Sequence, residues 1–146
     1  MSSFVVTGNA SGSGTHTLQS ANTSSNVTQT LPLTDATTLG YVNAPVNEQS
    51  TAYSTVASDA GKIILHPTSD ANARVFTIDA SVTYDLGTVL TFINMTSQVV
   101  TISLSSGTIY QAGTGSTGSR SLAQYGIATA VKMTSTTWLI SGNGLT

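Results

Sequence analysis

The chain has 146 residues, of which only 7% are charged, and a formal net charge of −2. That length suits one domain, or one domain plus an arm, whereas an average soluble domain carries about a quarter charged residues. Four scattered basic residues, Lys62, Arg74, Arg120 and Lys132, cannot supply the phosphate contacts of a nucleic-acid binder. No apolar run approaches a membrane span, and the absence of cysteine excludes a disulfide framework and thiol chemistry.

About a third of the residues are serine or threonine, so the surface must consist mostly of hydroxyls, amides and backbone. A partner can cover such a surface without stripping water from many ions, the costly step of association. Threonine is β-branched and favours strands, and the Val, Ile, Leu and Ala spread through the chain are what disordered chains lack. The composition reads as an all-β protein built to be covered by other proteins, and not as an enzyme.

From the N-terminus, Met1–Gly8 lacks the basic start and long apolar run of a signal peptide, which predicts synthesis in a cytoplasm without export by that route. Residues 1–49 hold few apolar residues, no Lys or Arg, and Gly/Ser/Asn-rich stretches such as Gly8–Gly14. They read as an N-terminal arm or hairpin layer, with short strands at Phe4–Val6, His16–Gln19 and Val27–Leu31. Asn43–Asn47 is the connector, its Pro45 forcing an extended approach. Residues 50–146 read as a β-sandwich or jelly-roll body, with strands at Lys62–Leu65, Val75–Ile78, Val89–Asn94, Val99–Leu104, Thr108–Gln111, Ile127–Met133 and Thr137–Ser141. Val75–Ile78 and Val99–Leu104 alternate as half-buried strands do, and Trp138-Leu-Ile140 is apolar enough for the core.

Several motifs have plain structural explanations. Gly113–Gly118 spells G-x-G-x-x-G, but no βαβ unit surrounds it, and Ser135–Trp138 stands where a dinucleotide fold needs its acid. It reads as a loop between strands. His16 and His66 lack the spacing of transition-metal ligands, and no G-x-S-x-G elbow places a serine beside His66 and Asp70. His66 reads as a hydrogen-bonded structural residue. Asp59, Asp70, Asp79 and Asp85 each neighbour turn-forming residues, where aspartate bonds its own backbone. Tyr41, Tyr53, Tyr110, Tyr125 and Trp138 could make a sugar-stacking platform; the simpler arrangement puts Trp138 in the core and the tyrosines at boundaries. No catalytic residue, metal ligand or cofactor is assigned.

Two stretches carry a family resemblance. Thr15–Pro32 is similar to a T-L-x-x-P/A-N…T-L-T-L-P segment of tailed-bacteriophage fibre and appendage proteins. Asp59–Pro67, Ala73–Ile78, Gly87–Asn94, Ala112–Leu122, Gly126–Lys132 and Trp138–Leu145 resemble a C-terminal domain recurring in phage virion proteins. These segments are spread from Thr15 to Leu145. The resemblance implies a virion structural protein. Brevity, a neutral surface and the lack of a long fibre shaft lead us to expect a capsid decoration (cement) protein on the outer capsid surface, trimeric and bound to the major capsid protein. Its arm, including Phe4, Val5 and Val6, would lie across neighbouring subunits and add strands or apolar contacts. The alternative is a short tail fibre or fibre tip that binds the host surface, perhaps a polysaccharide.

Overall fold

The computed structural model describes residues 43–146, which fall within a compact unit, Leu39–Thr146. The expected arm strands, and with them Phe4, Val5 and Val6, lie outside the described residues. Nine strands follow one another: β1 (Val46–Glu48), β2 (Tyr53–Ser54), β3 (Ile63–His66), β4 (Arg74–Ile78), β5 (Val89–Asn94), β6 (Val100–Leu104), β7 (Thr108–Gln111), β8 (Arg120–Lys132) and β9 (Thr137–Leu145). A 3-10 turn at Ala57–Asp59 is the one helical piece among the described residues. The described residues are all-β, as the composition predicts. The sheet takes in Val46–Glu48, upstream of the expected start of the body at residue 50.

The connectivity differs from that of a jelly roll. β1, β3 and β5 pair in parallel, as do β2, β4 and β6. The chain therefore alternates between two ladders, laying one strand on each in turn, in solenoid-like stacking where a jelly roll would use antiparallel Greek-key pairs. Parallel neighbours need a long crossover. Here the intervening strand of the opposite ladder is that crossover, so no helix is required. Short runs with period-2 patterning look alike in either topology, which is why the strands are legible in the sequence and their partners are not.

The last three strands close the stack. β8 is antiparallel to β6 through Arg120–Leu122 and to β5 through Ile127–Val131, so one strand spans the end of both ladders. β9 runs antiparallel along β8, and β7 lies parallel to β9. Between its two halves β8 bulges, the register shifting between Leu122 and Ile127, with Tyr125 at φ 59°. Bulges bend a strand and release its pairing, as this corner requires. Beside it Gly142 lies so close to β8 that a Cβ there would overlap the Ile127 carbonyl oxygen.

The inward residues of every layer meet in one core. Ile64, Leu90 and Phe92 enter from one ladder, Phe76, Ile78, Val100 and Ile102 from the other, and Leu122, Trp138 and Ile140 from the closing strands. Trp138 is buried, edge-on to the Tyr84 ring at 5.5 Å.

Candidate interaction surface

Because side chains alternate along a strand, each ladder also has an outward face, and the two outward faces differ in chemistry. On the ladder of β2, β4 and β6 the outward positions are Ser54 beside Thr77 beside Ser103, and Val75 beside Thr101 beside Ser121. Thr77 and Ser103 share a hydrogen bond of 3.0 Å between hydroxyls. Apart from Val75, this is a hydroxyl surface that water satisfies.

The other face extends over six strands in the order β1, β3, β5, β8, β9, β7. One row across it reads Val89, Val131, Leu139, Tyr110. The next is Val46, Ile63, Thr91, Thr129, Ser141, and the third is Glu48, Leu65, Ile93, Ile127, Asn143. Branched aliphatic side chains dominate, and Glu48 on the end strand is the one ionisable carboxylate in the three rows. Val46, Ile127, Tyr110, Leu139 and Val89 are all exposed. At the bulged corner Tyr125 is 70% exposed on left-handed backbone, a conformation non-glycine residues rarely adopt.

Buried polar clusters hold the loops around these faces. Asp59 is buried and accepts hydrogen bonds from Tyr53 Oη (2.8 Å), Asn47 Nδ2 (2.8 Å) and the Val56 amide (2.9 Å), which ties β1 and β2 to the 3-10 turn. Burial pushes the Tyr53 phenol above its usual range, and its hydrogen bond to Asp59 pushes the same way. Tyr84 donates to Thr55 Oγ1 at 2.8 Å, and burial raises its phenol too. His66 is fully buried, its Nε2 2.9 Å from Asp70 Oδ2 and its ring edge-on to Phe76. Asp70 also accepts from Arg74 Nε at 2.6 Å and Asn72 Nδ2 at 2.6 Å. The Arg74 guanidinium, followed by His66 and Asn72, holds its carboxyl well below the usual carboxylate range. The cluster closes the loop from β3 to β4.

Of the sequence-nominated residues, the structure joins His66 and Asp70 but, among the described residues, places no serine on the ring: the buried His66 Nδ1 has no hydrogen-bond partner there. Among the described residues no group of three His, Asp or Glu side chains is arranged to hold a metal. A cleft of about 290 Å³ is lined by Leu104, Gly107, Thr108, Ile109 and Thr117–Ser119, none of them titratable. Gly113, Gly115 and Gly118 all take positive φ in the loop after β7, which accounts for the glycine pattern without a nucleotide. Asp59 and Asp70 do more than make turns, since each gathers donors from separate segments. Tyr53 and Tyr84 point their rings at Phe76 and Trp138 respectively, whereas Tyr110 and Tyr125 are exposed; Tyr41 lies outside the described residues.

Arg120 escaped the sequence reading. It is buried on β8, and among the described residues its Nε and Nη2 have no hydrogen-bond partner. Comparison with known protein families, with curated proteins and with solved structures found no match for this chain.

Proposed function

We propose that this chain is a non-enzymatic structural protein of a tailed-bacteriophage virion, a capsid decoration (cement) protein made in the host cytoplasm and carried on the outer capsid surface. The observation that supports this most is the pairing of a nearly uncharged, hydroxyl-rich surface with one broad aliphatic outer face. Monomers rarely leave such a face uncovered, and few ions need be desolvated to cover it. In this reading the body, a solenoid-like stack in place of a jelly roll, joins its symmetry mates as a homotrimer. The arm, with Phe4, Val5 and Val6, lies across the major capsid protein. Contacts available only in the assembled shell add stability to it by mass action. Neither a cofactor nor nucleic acid enters the mechanism.

A second reading, a short tail fibre or fibre tip that binds the host surface, draws on the axial stacking of strands, which suits an elongated element. Copies per virion, measured by quantitative mass spectrometry against the major capsid protein, separate the two. Hundreds of copies support the cement protein. A handful, in multiples of three or six, refutes it in favour of the tail. Deleting residues 1–14 tests the arm: the body is expected to stay folded and bind particles more weakly. Undiminished binding would remove the arm from the mechanism.

A further inference from the structure

We propose that the aliphatic outer face of β1, β3, β5, β8, β9 and β7, with Tyr125 at its corner, is the surface by which this chain binds a second copy of itself. The proposal rests on the self-association part of the reading above and assigns it to a place in the fold. The contrast between the two outward faces motivates it. The two parallel ladders are built by the same stacking, yet β4 and β6 carry Thr77, Thr101 and Ser103 outward where β3 and β5 carry Ile63, Leu65, Val89, Thr91 and Ile93. The closing strands extend the second set with Val131, Ile127 and Leu139. A strand face destined for water has no use for the aliphatic members of the second set, which on β5, β8 and β9 lie in two rows on either side of Thr91, Thr129 and Ser141.

The choice of occupant follows from charge and area. A surface that meets its own copy must avoid setting like charges opposite each other. This face does so, because Glu48, on the end strand, is its one carboxylate and no lysine or arginine falls in the three rows. The same lack of cations disfavours a nucleic acid or an anionic lipid surface. With strands about 4.8 Å apart and residues about 3.3 Å apart, the face measures roughly 24 Å by 20 Å. Two copies thus bury about 1,000 Å² in total, near the lower limit for a specific interface. Tyr125 extends that area, held outward by a bulge backed by closely packed glycine backbone at Gly126 and Gly144. A rigidly presented tyrosine binds at low entropic cost, as interface anchors do.

The test is the mass in solution of the purified full chain, by light scattering after size exclusion and by sedimentation equilibrium. The wild type is expected to be an oligomer. Ile127→Lys with Leu139→Lys is expected to give a monomer with an unchanged circular-dichroism spectrum, and Tyr125→Ser to weaken association about tenfold. Val75→Lys, on the hydroxyl face, keeps the wild-type mass. Because the chain has no cysteine, single Leu139→Cys and Val75→Cys variants carry spin labels at one place each, so the proposal remains testable if the lysine pair fails to fold. Labels at 139 are expected close to one another between copies, and labels at 75 far apart. A monomeric wild type overturns the proposal, as does an oligomer with distant labels at 139. A monomer that still coats particles would sink this surface and leave the cement reading intact. An oligomer found in a handful of copies per virion would do the reverse.

Discussion

The two outward faces of this molecule each start from a parallel ladder and differ in chemistry. Each includes the outer side of a parallel ladder whose inner side enters the common core, and β8, β9 and β7 extend the aliphatic one. The inner positions are under identical demands, and they look alike: Ile64, Leu90 and Phe92 against Phe76, Val100 and Ile102. The outer positions are free of the core, so whatever regularity they show reflects a different requirement. Thr77 bonded to Ser103 meets the requirement of water; Val89 beside Val131 beside Leu139 meets that of another apolar surface. A broad aliphatic face beside a ladder of the same stacking that carries hydroxyls is a more informative marker of association than apolar exposure alone, because single exposed aliphatics are normal on any protein.

The largest expected effect comes from attacking what the faces share. Phe92→Ala on one ladder and Phe76→Ala on the other each remove a fully buried ring, and each is expected to cost about 3–5 kcal/mol. Because the core is continuous, thermal melts should show one transition shifted down in either variant. Two separate transitions would mean that the ladders are independent units and that comparing their faces compares two domains.

Next in size is Arg120→Met. A buried guanidinium with two nitrogens unpartnered among the described residues is expensive, and replacing buried ions by apolar groups of similar size is often stabilising by about 1–4 kcal/mol. A raised denaturation midpoint with unchanged oligomer mass would mark Arg120 as a cost internal to β8. A lost oligomer would instead place it in the interface and shift the boundary between the two faces.

Much of this plan is legible in the sequence, for definable reasons. Val89–Asn94 and Thr108–Gln111 are strands with the expected limits, since apolar residues recur at the strand period between turn residues. The first half of β8, Arg120–Gly126, is not: Arg120, Gln124 and Gly126 break the pattern, and the strand exists because it closes the end of β6. β1 and β2 are too short to carry a pattern and are held by side-chain bonds to Asp59. The burial of His66 follows from its place as the inward neighbour of Ile64 on β3, and its pairing with Asp70 is a near-neighbour contact. The contrast between faces needs the register, because Leu139 meets Val131, and Val131 meets Val89, only once partners are known.

Acid tests the anchoring of the loop between the ladders. Asp70 titrates below its unfolded value because Arg74, His66 and Asn72 bond its ionised form. Its contribution to stability is therefore complete above the unfolded value of about 4 and is lost as pH falls through the lowered native value. Denaturation midpoints measured from pH 7 down to pH 2 are expected to fall below about pH 4. Asp70→Asn, which cannot ionise, should flatten that limb. An equally steep limb in the variant would assign acid sensitivity to other carboxylates.

The smallest expected change in stability is also the sharpest test of the comparison. Converting Thr77, Thr101 and Ser103 to valine makes the hydroxyl face resemble its counterpart. It removes the hydrogen bond between Thr77 and Ser103, worth about 0.5–1.5 kcal/mol, and gains back some of that through the strand preference of valine. The melting temperature should hardly move. Association should move a great deal, since a second aliphatic face gives each copy another surface to bury. The triple variant is then expected to form species larger than the wild-type oligomer, visible by light scattering at concentrations where the parent is monodisperse. If its mass stays at the parental value, aliphatic character is not what makes a face of this fold associate. Shape at the Tyr125 corner would have to supply the specificity instead.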